Sequence, residues 1–313
     1  MTSKLPSLPL AACVLAVGLG LSATAALANA KIVIGMQQEP TSLDPTADAT
    51  ASINGMLAHN VYEALTTVNQ SGDVMPQLAE SWTVSEDGLT YVFKLVEGVR
   101  FHDGTTFDAD DVVFSFARAM AEDSVNPTKG HFAAIDTVTK IDDHTVEITL
   151  KRKDAFFLFN MAQGNVSIVG PESADNNATN PIGTGPFRFQ GWTRGDRLTL
   201  ARNPEHRIAD SVALETVEFR FISDAAAASA AILAGELDAF PTFPAPEMLP
   251  QFEADPRFRV NVGSTEGEVI LAMNNAREPF TDINVRRAVS HAINRDEIID
   301  GAMYGRAVPI GSF

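Results

Sequence analysis

The six histidines and the grouped carboxylates are the residues best suited to metal or acid–base chemistry, so their spacing decides which reactions are available. The histidines stand at positions 59, 102, 131, 144, 206 and 291, and none forms an H-E-x-x-H motif or another close pair of ligands. The run Asp108-Ala109-Asp110-Asp111 suits the start of a helix, and Asp142-Asp143 suits a hairpin turn. Neither has the glycine and spacing of a calcium loop. The pattern predicts no catalytic acid–base pair and no metal site.

The glycine pair Gly183 and Gly185 is a second candidate for chemistry, because closely spaced glycines can cradle a phosphate group. The dinucleotide-binding pattern needs a third glycine and the N-terminus of a helix, but here Pro186 and a strand-like segment follow. No G-x-x-x-x-G-K-[ST] motif is present either. The pair instead predicts a tight turn, in which glycine permits a positive φ and the proline keeps its neighbour extended. No cofactor is expected.

Motifs for covalent catalysis and for nucleic-acid binding are also missing. There is no G-x-S-x-G elbow, although a serine triad with widely separated members stays open. Matches to the N-x-[ST] glycosylation pattern occur at Asn69, Asn165 and Asn177, as they often do by chance. The formal net charge is −17, without an extended Lys/Arg run to displace the counterions of a nucleic acid. The composition therefore argues against a nucleic-acid partner.

The first thirty residues have the layout of a secretory signal peptide. Lys4 is their only charge, residues 10–21 are apolar or glycine, and Ala28-Asn29-Ala30 forms an A-x-A cleavage pattern. The apolar run is short for a membrane span. Cys13 lies in a sequence like a lipoprotein box, but most of the apolar run follows it, so lipid anchoring is the less favoured interpretation. Cleavage after residue 30 leaves a mature chain without cysteine.

Hydrophobic periodicity predicts strands and helices that are mixed without strict alternation, and hence an α/β or α+β class with mixed sheets. Strands are predicted at residues 31–36, 89–95, 137–150 (a hairpin), 187–202 (a pair), 215–222 and 267–275. Helices are predicted after three N-cap residues, Ser52, Asp108 and Asp224. The first of these is expected to continue with Leu57, Val61, Ala64 and Leu65 at helical spacing. A last amphipathic helix is expected to turn five residues inward: Val285, Ala288, Val289, Ala292 and Ile293.

Several long motifs in register resemble the bacterial extracellular solute-binding proteins of family 5, the receptors of ABC importers for peptides, nickel and related solutes. The resemblance begins in PQLAESWTVSEDGLTYVFKLVEGVRFHDGTTFDADDVVFSFARAM and continues through NPIGTGPFRFQGWTRGDRLTLARNP, GELDAF and EPFTDINVRRAVSHAINRDEII. It covers residues 31–313 in order. There is one departure. His206-Arg207 stands where the family usually has a Tyr-Trp pair, so local packing is expected to differ.

The resemblance implies an α/β fold of the periplasmic-binding-protein type, with two lobes around a cleft, mixed sheets and an inserted subdomain. The implied parts are a signal peptide at 1–30, lobe I at 31–72, the inserted subdomain at 73–184, lobe I continued at 185–274 and the start of lobe II at 275–313. Family members run well past residue 313. The chain is therefore expected to be truncated at its C-terminus, with an incomplete second lobe.

The resemblance also implies ligand contacts in three loops at the edge of the cleft. The implied residues are Asp48, Thr50 and Ser52 in the first loop, His131 and Phe132 in the second, and Thr242 and Phe243 in the third. Backbone groups at strand ends can pair with an extended peptide, and aromatic rings supply apolar walls. Ordinary loop structure is the competing interpretation for each of these residues.

A periplasmic receptor without catalytic activity is the function that the resemblance implies. It would act as a monomer, capture a peptide-like solute by cleft closure and deliver it to the membrane permease of an ABC importer. The same family also suggests a nickel chelate, haem, an opine or an oligosaccharide as ligand. A secreted hydrolase and a truncated product that binds nothing are the remaining alternatives.

Overall fold

The computed structural model describes residues 30–48, 50–263 and 269–311, so the predicted signal peptide up to Asn29, with Cys13, lies outside the described residues. The strands in these ranges are β1 (Lys31–Met36), β2 (Thr66–Val68), β3 (Val74–Pro76), β4 (Ala79–Val84), β5 (Thr90–Leu95), β6 (Ile135–Asp142), β7 (Thr145–Leu150), β8 (Phe187–Thr193), β9 (Arg197–Arg202) and β10 (Thr216–Phe221). The helices are α1 (Ala51–Leu57), α2 (Ala109–Met120), α3 (Phe157–Asn160), α4 (Ala225–Leu233), α5 (Leu249–Ala254), α6 (Ile283–Ala292) and α7 (Arg295–Ala302). No described helix is long and apolar enough to cross a membrane.

One four-stranded sheet is mixed, as the sequence predicts. Its order is β1-β10-β9-β8, with β1 parallel to β10 and the other neighbours antiparallel. Alternate residues of β9 and β10, including Leu198, Leu200 and Phe219, are buried in a core that also contains Ile53 and Met56 of α1. The predicted strand pair at 187–202 therefore enters this sheet as β8 and β9.

The second four-stranded sheet is antiparallel, in the order β4-β5-β7-β6, and has its own hydrophobic core. Tyr91 and Phe93 of β5 are buried in this core, which also contains Val112 and Phe116 of α2. Asp108 caps this helix as predicted: its carboxylate accepts from the backbone N–H of Asp110 at 2.7 Å, and Asp111 accepts from the N–H of Asp108 at 2.9 Å. This reciprocal capping box explains why the helix begins at residue 109. A separate two-stranded sheet pairs β2 with β3.

The first predicted helix is shorter than the sequence pattern indicates. Its N-cap residue is Thr50, and Ser52 lies inside the helix rather than capping it. The helix ends at Leu57, and His59 follows with a positive φ of 61°. The apolar residues up to Leu65 are still buried, but an irregular chain buries them. The prediction that the helix continues beyond Leu57, made from the spacing of apolar residues, was therefore wrong.

The glycine pair makes a close backbone contact, whereas the sequence predicts positive φ values. Neither Gly183 nor Gly185 has a positive φ. A Cβ on Gly183 would lie 2.1 Å from the carbonyl oxygen of Val61, and a Cβ on Gly185 would lie 2.3 Å from that of Asn60. The N–H of Gly185 donates to the Val61 carbonyl at 2.9 Å. Glycine is needed here because the chain lies directly against another backbone on its way to β8.

The region after residue 268 differs from prediction in its burial. Residues 269–275, the described part of the predicted strand at 267–275, form no strand, and Val269, Ile270 and Leu271 are 77%, 56% and 62% exposed. An extended segment needs a paired neighbour to form a stable sheet, and none of the described strands pairs with it. Helix α6 forms as predicted and α7 follows it, but the expected inward stripe on α6 contains no buried residue.

Candidate functional site

The first and third predicted loops begin at the same edge of the mixed sheet. Ile34 of β1 and Ala239 form a parallel bridge, and the N–H of Gly35 donates to the carbonyl of Ala239 at 2.8 Å. The ring of Phe240 lies so close to Gly35 that a Cβ there would be 2.3 Å from it. The loop after β1 and the loop after residue 239 therefore start side by side. Ligands of open α/β sheets bind at such carboxyl ends of parallel strands.

Asp48 shapes the first loop through hydrogen bonds. One carboxylate oxygen accepts from the N–H and the hydroxyl of Thr50, at 2.8 Å and 2.6 Å, and the other accepts from the hydroxyl of Thr41. Burial favours the neutral acid, but the hydrogen bonds from Thr41 and Thr50 outweigh it and lower the pKa of Asp48. Asp48 is therefore an ionised, half-buried group near the loop surface. Ser52 differs, since it is buried in α1.

The second loop contains His131 and Phe132 in a short 3-10 helix, Lys129–Phe132. Phe132 is only 3% exposed and packs edge-to-face on Phe116 of α2, with ring centroids 5.4 Å apart. Its ring thus belongs mainly to the core. Burial lowers the pKa of His131, and its buried Nδ1 has no hydrogen-bond partner in the described chain. His131 is consequently a neutral imidazole at pH 7.

The third loop holds its aromatic residue rigidly. Phe243 packs edge-to-face with Phe240 at 5.6 Å and with Phe252 at 5.3 Å between ring centroids. The exposed Thr242 has a φ of 56°, a left-handed conformation that is rare for a β-branched residue. Such an outlier persists only where its surroundings determine the backbone. The ring of Phe243 is therefore fixed at the start of the loop.

Asn165 links the first and second loops, and sequence reasoning missed this role. Its Nδ2 donates to the carbonyl of Pro45 at 2.5 Å, its Oδ1 accepts from Asn54 at 3.3 Å, and its own carbonyl accepts from Asn126 at 2.8 Å. The only sequence signal at Asn165 was a glycosylation pattern. Asn165 and Asn177 are both buried, so neither presents an accessible acceptor in the folded chain.

A cavity of about 230 Å³ lies between α2 and these two linked loops. Arg118 of α2 donates to Thr46 at 2.5 Å and to the buried carboxylate of Asp44 at 3.1 Å, which fixes the first loop to the helix. Of the seven predicted ligand residues, only Phe132 lines this cavity. The structure thus places the start of the first loop beside that of the third at the edge of the mixed sheet. The hydrogen bonds of Asn165 also connect the first loop to the second. In the described ranges, no group of three or more His, Cys, Asp or Glu side chains is arranged to hold a metal ion.

Comparison with known proteins gives consistent results. A family model described as bacterial extracellular solute-binding proteins, family 5 Middle, matches residues 73–313. The di/tripeptide-binding protein 1 of Pseudomonas aeruginosa is 31% identical, over 92% of this chain and 59% of that protein. The chain therefore spans well under two thirds of the length of this relative.

Solved structures show the same fold. The periplasmic binding protein DppA from Helicobacter pylori, in complex with the peptide STSA, superposes with a TM-score of 0.78 at 27% identity, covering 88% of this chain and 59% of that one. NikZ from Campylobacter jejuni, in complex with Ni(L-His), gives a TM-score of 0.74 at 25% identity, covering 89% and 56%. The matched region is more than half of the chain, and the chain belongs to the bacterial extracellular solute-binding proteins of family 5.

Proposed function

We propose that this chain is the solute-binding component of an ABC importer and that it captures a peptide-like ligand in the periplasm. The observation that carries the proposal is the common origin of the first and third loops at the edge formed by β1 and Ala239. An edge of this kind offers backbone donors and acceptors to an extended peptide. The similarity to a di/tripeptide-binding protein and to a STSA complex supports the same ligand class.

The predicted loop residues then have separable tasks. Phe243 supplies a rigid apolar wall, because its two aromatic neighbours hold it. Asp48 contributes an ionised carboxylate that attracts an ammonium group, while Thr50 keeps it in place. Thr242 and His131 are polar groups at the loop surfaces, and Ser52 and Phe132 support the loops from below. Capture involves no chemical step: the monomeric protein closes on the solute and delivers it to the permease.

A second ligand class is favoured by one specific observation, the TM-score of 0.74 with NikZ bound to Ni(L-His). The same scaffold would then hold a metal chelate or another non-peptide solute. The two ligand classes depend on different groups of the predicted site. A peptide needs the apolar wall and backbone pairing at residues 240–243, whereas a chelated cation depends more on the negative charge of Asp48.

A titration series with matched variants tests the proposal. Isothermal titration of the 313-residue chain would use STSA, a dipeptide panel and Ni(L-His). We expect saturable peptide binding that weakens about tenfold or more in Phe243→Ala, since truncation of an anchor residue at a binding site costs about 2 kcal/mol or more. Phe258→Ala is the control, because Phe258 ends the same aromatic series, 5.2 Å from Phe252. Binding of Ni(L-His) alone would favour the second class, and no binding of any ligand would contradict the proposal.

A further inference from the structure

A second cavity, of about 300 Å³, lies between residues 97–100 and the returning segment 184–207. None of its lining residues belongs to the three predicted loops. Its charged lining residues are Glu97, Arg100, Arg188, Glu205 and Arg207, together with the imidazole of His206. Three arginines and two glutamates thus line this cavity, in a chain whose formal charge as a whole is −17.

Arg207 forms a neutralised, rigid wall of the cavity. Its guanidinium donates to both carboxylate oxygens of Glu63, at 2.9 Å and 2.5 Å, and Glu63 is only 2% exposed. Thr184 donates to the same carboxylate at 2.9 Å. The charge of Arg207 is therefore balanced by Glu63 behind the cavity surface. It positions the wall and is not available to a ligand.

His206 is also held by contacts within the fold. Its Nδ1 accepts from the backbone N–H of Ile208 at 3.3 Å, and its Nε2 lies 3.4 Å from a carboxylate oxygen of Glu63 and 3.1 Å from Nη1 of Arg207. Both ring nitrogens are thus engaged within the protein. The arginines left for a ligand are therefore Arg188 and Arg100.

Arg188 and Arg100 keep donors that the protein does not use. The Nε of Arg188 donates to Asn203 at 2.9 Å and its Nη2 to Glu205 at 2.5 Å, while its Nη1 has no acceptor among the described residues. Arg100 donates through Nη1 to the carbonyl of Gly104 at 2.9 Å, and its other nitrogens have no acceptor in the described ranges. The Glu205 side chain is 68% exposed, so it can leave Arg188 at little cost.

We propose that this cavity binds a small dianionic oxyanion, such as phosphate or a dicarboxylate, through Arg188 and Arg100. The planar donor fork of arginine matches the paired oxygens of these groups. Glu205 occupies the place on Arg188 that the anion takes, and so acts as an internal competitor that swings into solvent on binding. The site is independent of solute capture at the three loops.

Isothermal titration with inorganic phosphate and with succinate, at constant ionic strength set by chloride, tests this site. Arg188→Gln is expected to weaken binding about tenfold or more, because a charge-assisted hydrogen bond is lost. Glu205→Gln is expected to strengthen binding by about fivefold, because it removes the competing carboxylate. The controls are Arg220→Gln and Glu236→Gln, which make the same charge changes in an ion pair of 3.0 Å that does not line the cavity.

The control pair separates a built site from a general charge effect, because a general effect would change binding equally in both pairs. Stronger binding of phosphate than of succinate identifies a phosphate-type ligand, and the reverse identifies a dicarboxylate. Arg100→Gln gives a second test if Arg188→Gln lowers the melting temperature, because the exposed Arg100 makes fewer contacts within the fold. The proposal is wrong if phosphate and succinate bind no more strongly than chloride. It is also wrong if the control variants change binding as much as Arg188→Gln and Glu205→Gln do.

Discussion

Replacing Arg207 with methionine tests whether the Glu63 cluster holds the returning segment in place. Glu63 is buried, and Arg207 makes two of its hydrogen bonds across 144 positions of the chain. Removing one partner of a buried ion pair costs about 3–5 kcal/mol, because the other charge is left without compensation. The Arg207 side chain is 29% exposed, so water can replace part of the interaction. We therefore expect a loss of about 2–3 kcal/mol in the free energy of unfolding.

Urea denaturation followed by the fluorescence of Trp82 and Trp192 is a suitable assay, because the two tryptophans pack against different cores. The double variant Glu63→Gln/Arg207→Met removes the buried charge as well. It should therefore recover more than half of the lost stability. A loss below about 0.5 kcal/mol in Arg207→Met, which is the usual range for surface changes, would refute the reasoning. A double variant less stable than the single one would refute it too.

The pH dependence gives an independent check on the Glu63 cluster. Burial opposes ionisation of Glu63, but the hydrogen bonds from His206 and Arg207 outweigh it and lower the pKa below 4.5. A lowered carboxyl pKa contributes stability above the unfolded-state value that is lost as the pH falls through the folded-state value. The difference in stability between the wild type and Arg207→Met should therefore shrink as the pH falls below about 4.5.

Three further predictions follow from single sites. Burial raises the pKa of Asp111 to about 6, so the stability that its protonated form contributes is lost as the pH rises through 6. In urea denaturation, Asp111→Asn should therefore raise the free energy of unfolding by about 1 kcal/mol at pH 7.5 and change it little at pH 4. Gly183→Ala should lower the melting temperature strongly, unlike Gly191→Ala, whose added Cβ meets nothing within 4 Å. Asn165→Ala should speed hydrogen exchange at residues 44–50 and 121–132 and cost about 2 kcal/mol, whereas the exposed Asn69→Ala should do neither.

The sequence predicted correctly those elements that are determined by interactions between residues close together in the chain. Asp108 and Asp224 cap their helices because each side-chain oxygen accepts a nearby backbone N–H, which a short stretch of sequence can reveal. The alternation in β5 and the turn before β7 were predicted for the same reason. The pattern failed near Leu57, where residues at helical spacing are buried by irregular chain. Hydrophobic periodicity indicates which residues are buried, but it indicates their secondary structure only indirectly.

Contacts between distant parts of the chain account for most of what could not be predicted. Asn165 joins Pro45 across 120 positions, and nothing near Asn165 in sequence indicates this partner. Gly183 was expected to need a positive φ, but the reason for glycine there is the carbonyl of Val61. His206-Arg207 was noted only as a departure from the family pattern, and its buried partner Glu63 emerged from the fold. The ligand roles of the seven predicted loop residues stay predictions.

A crystal structure of the chain grown with its best-binding peptide would test the central claim most directly. We expect an extended peptide at the edge shared by β1 and Ala239, with its backbone hydrogen-bonded to residues 240–243 and a side chain against Phe243. A peptide bound elsewhere on the molecule, with no contact to the first or third loop, would contradict it.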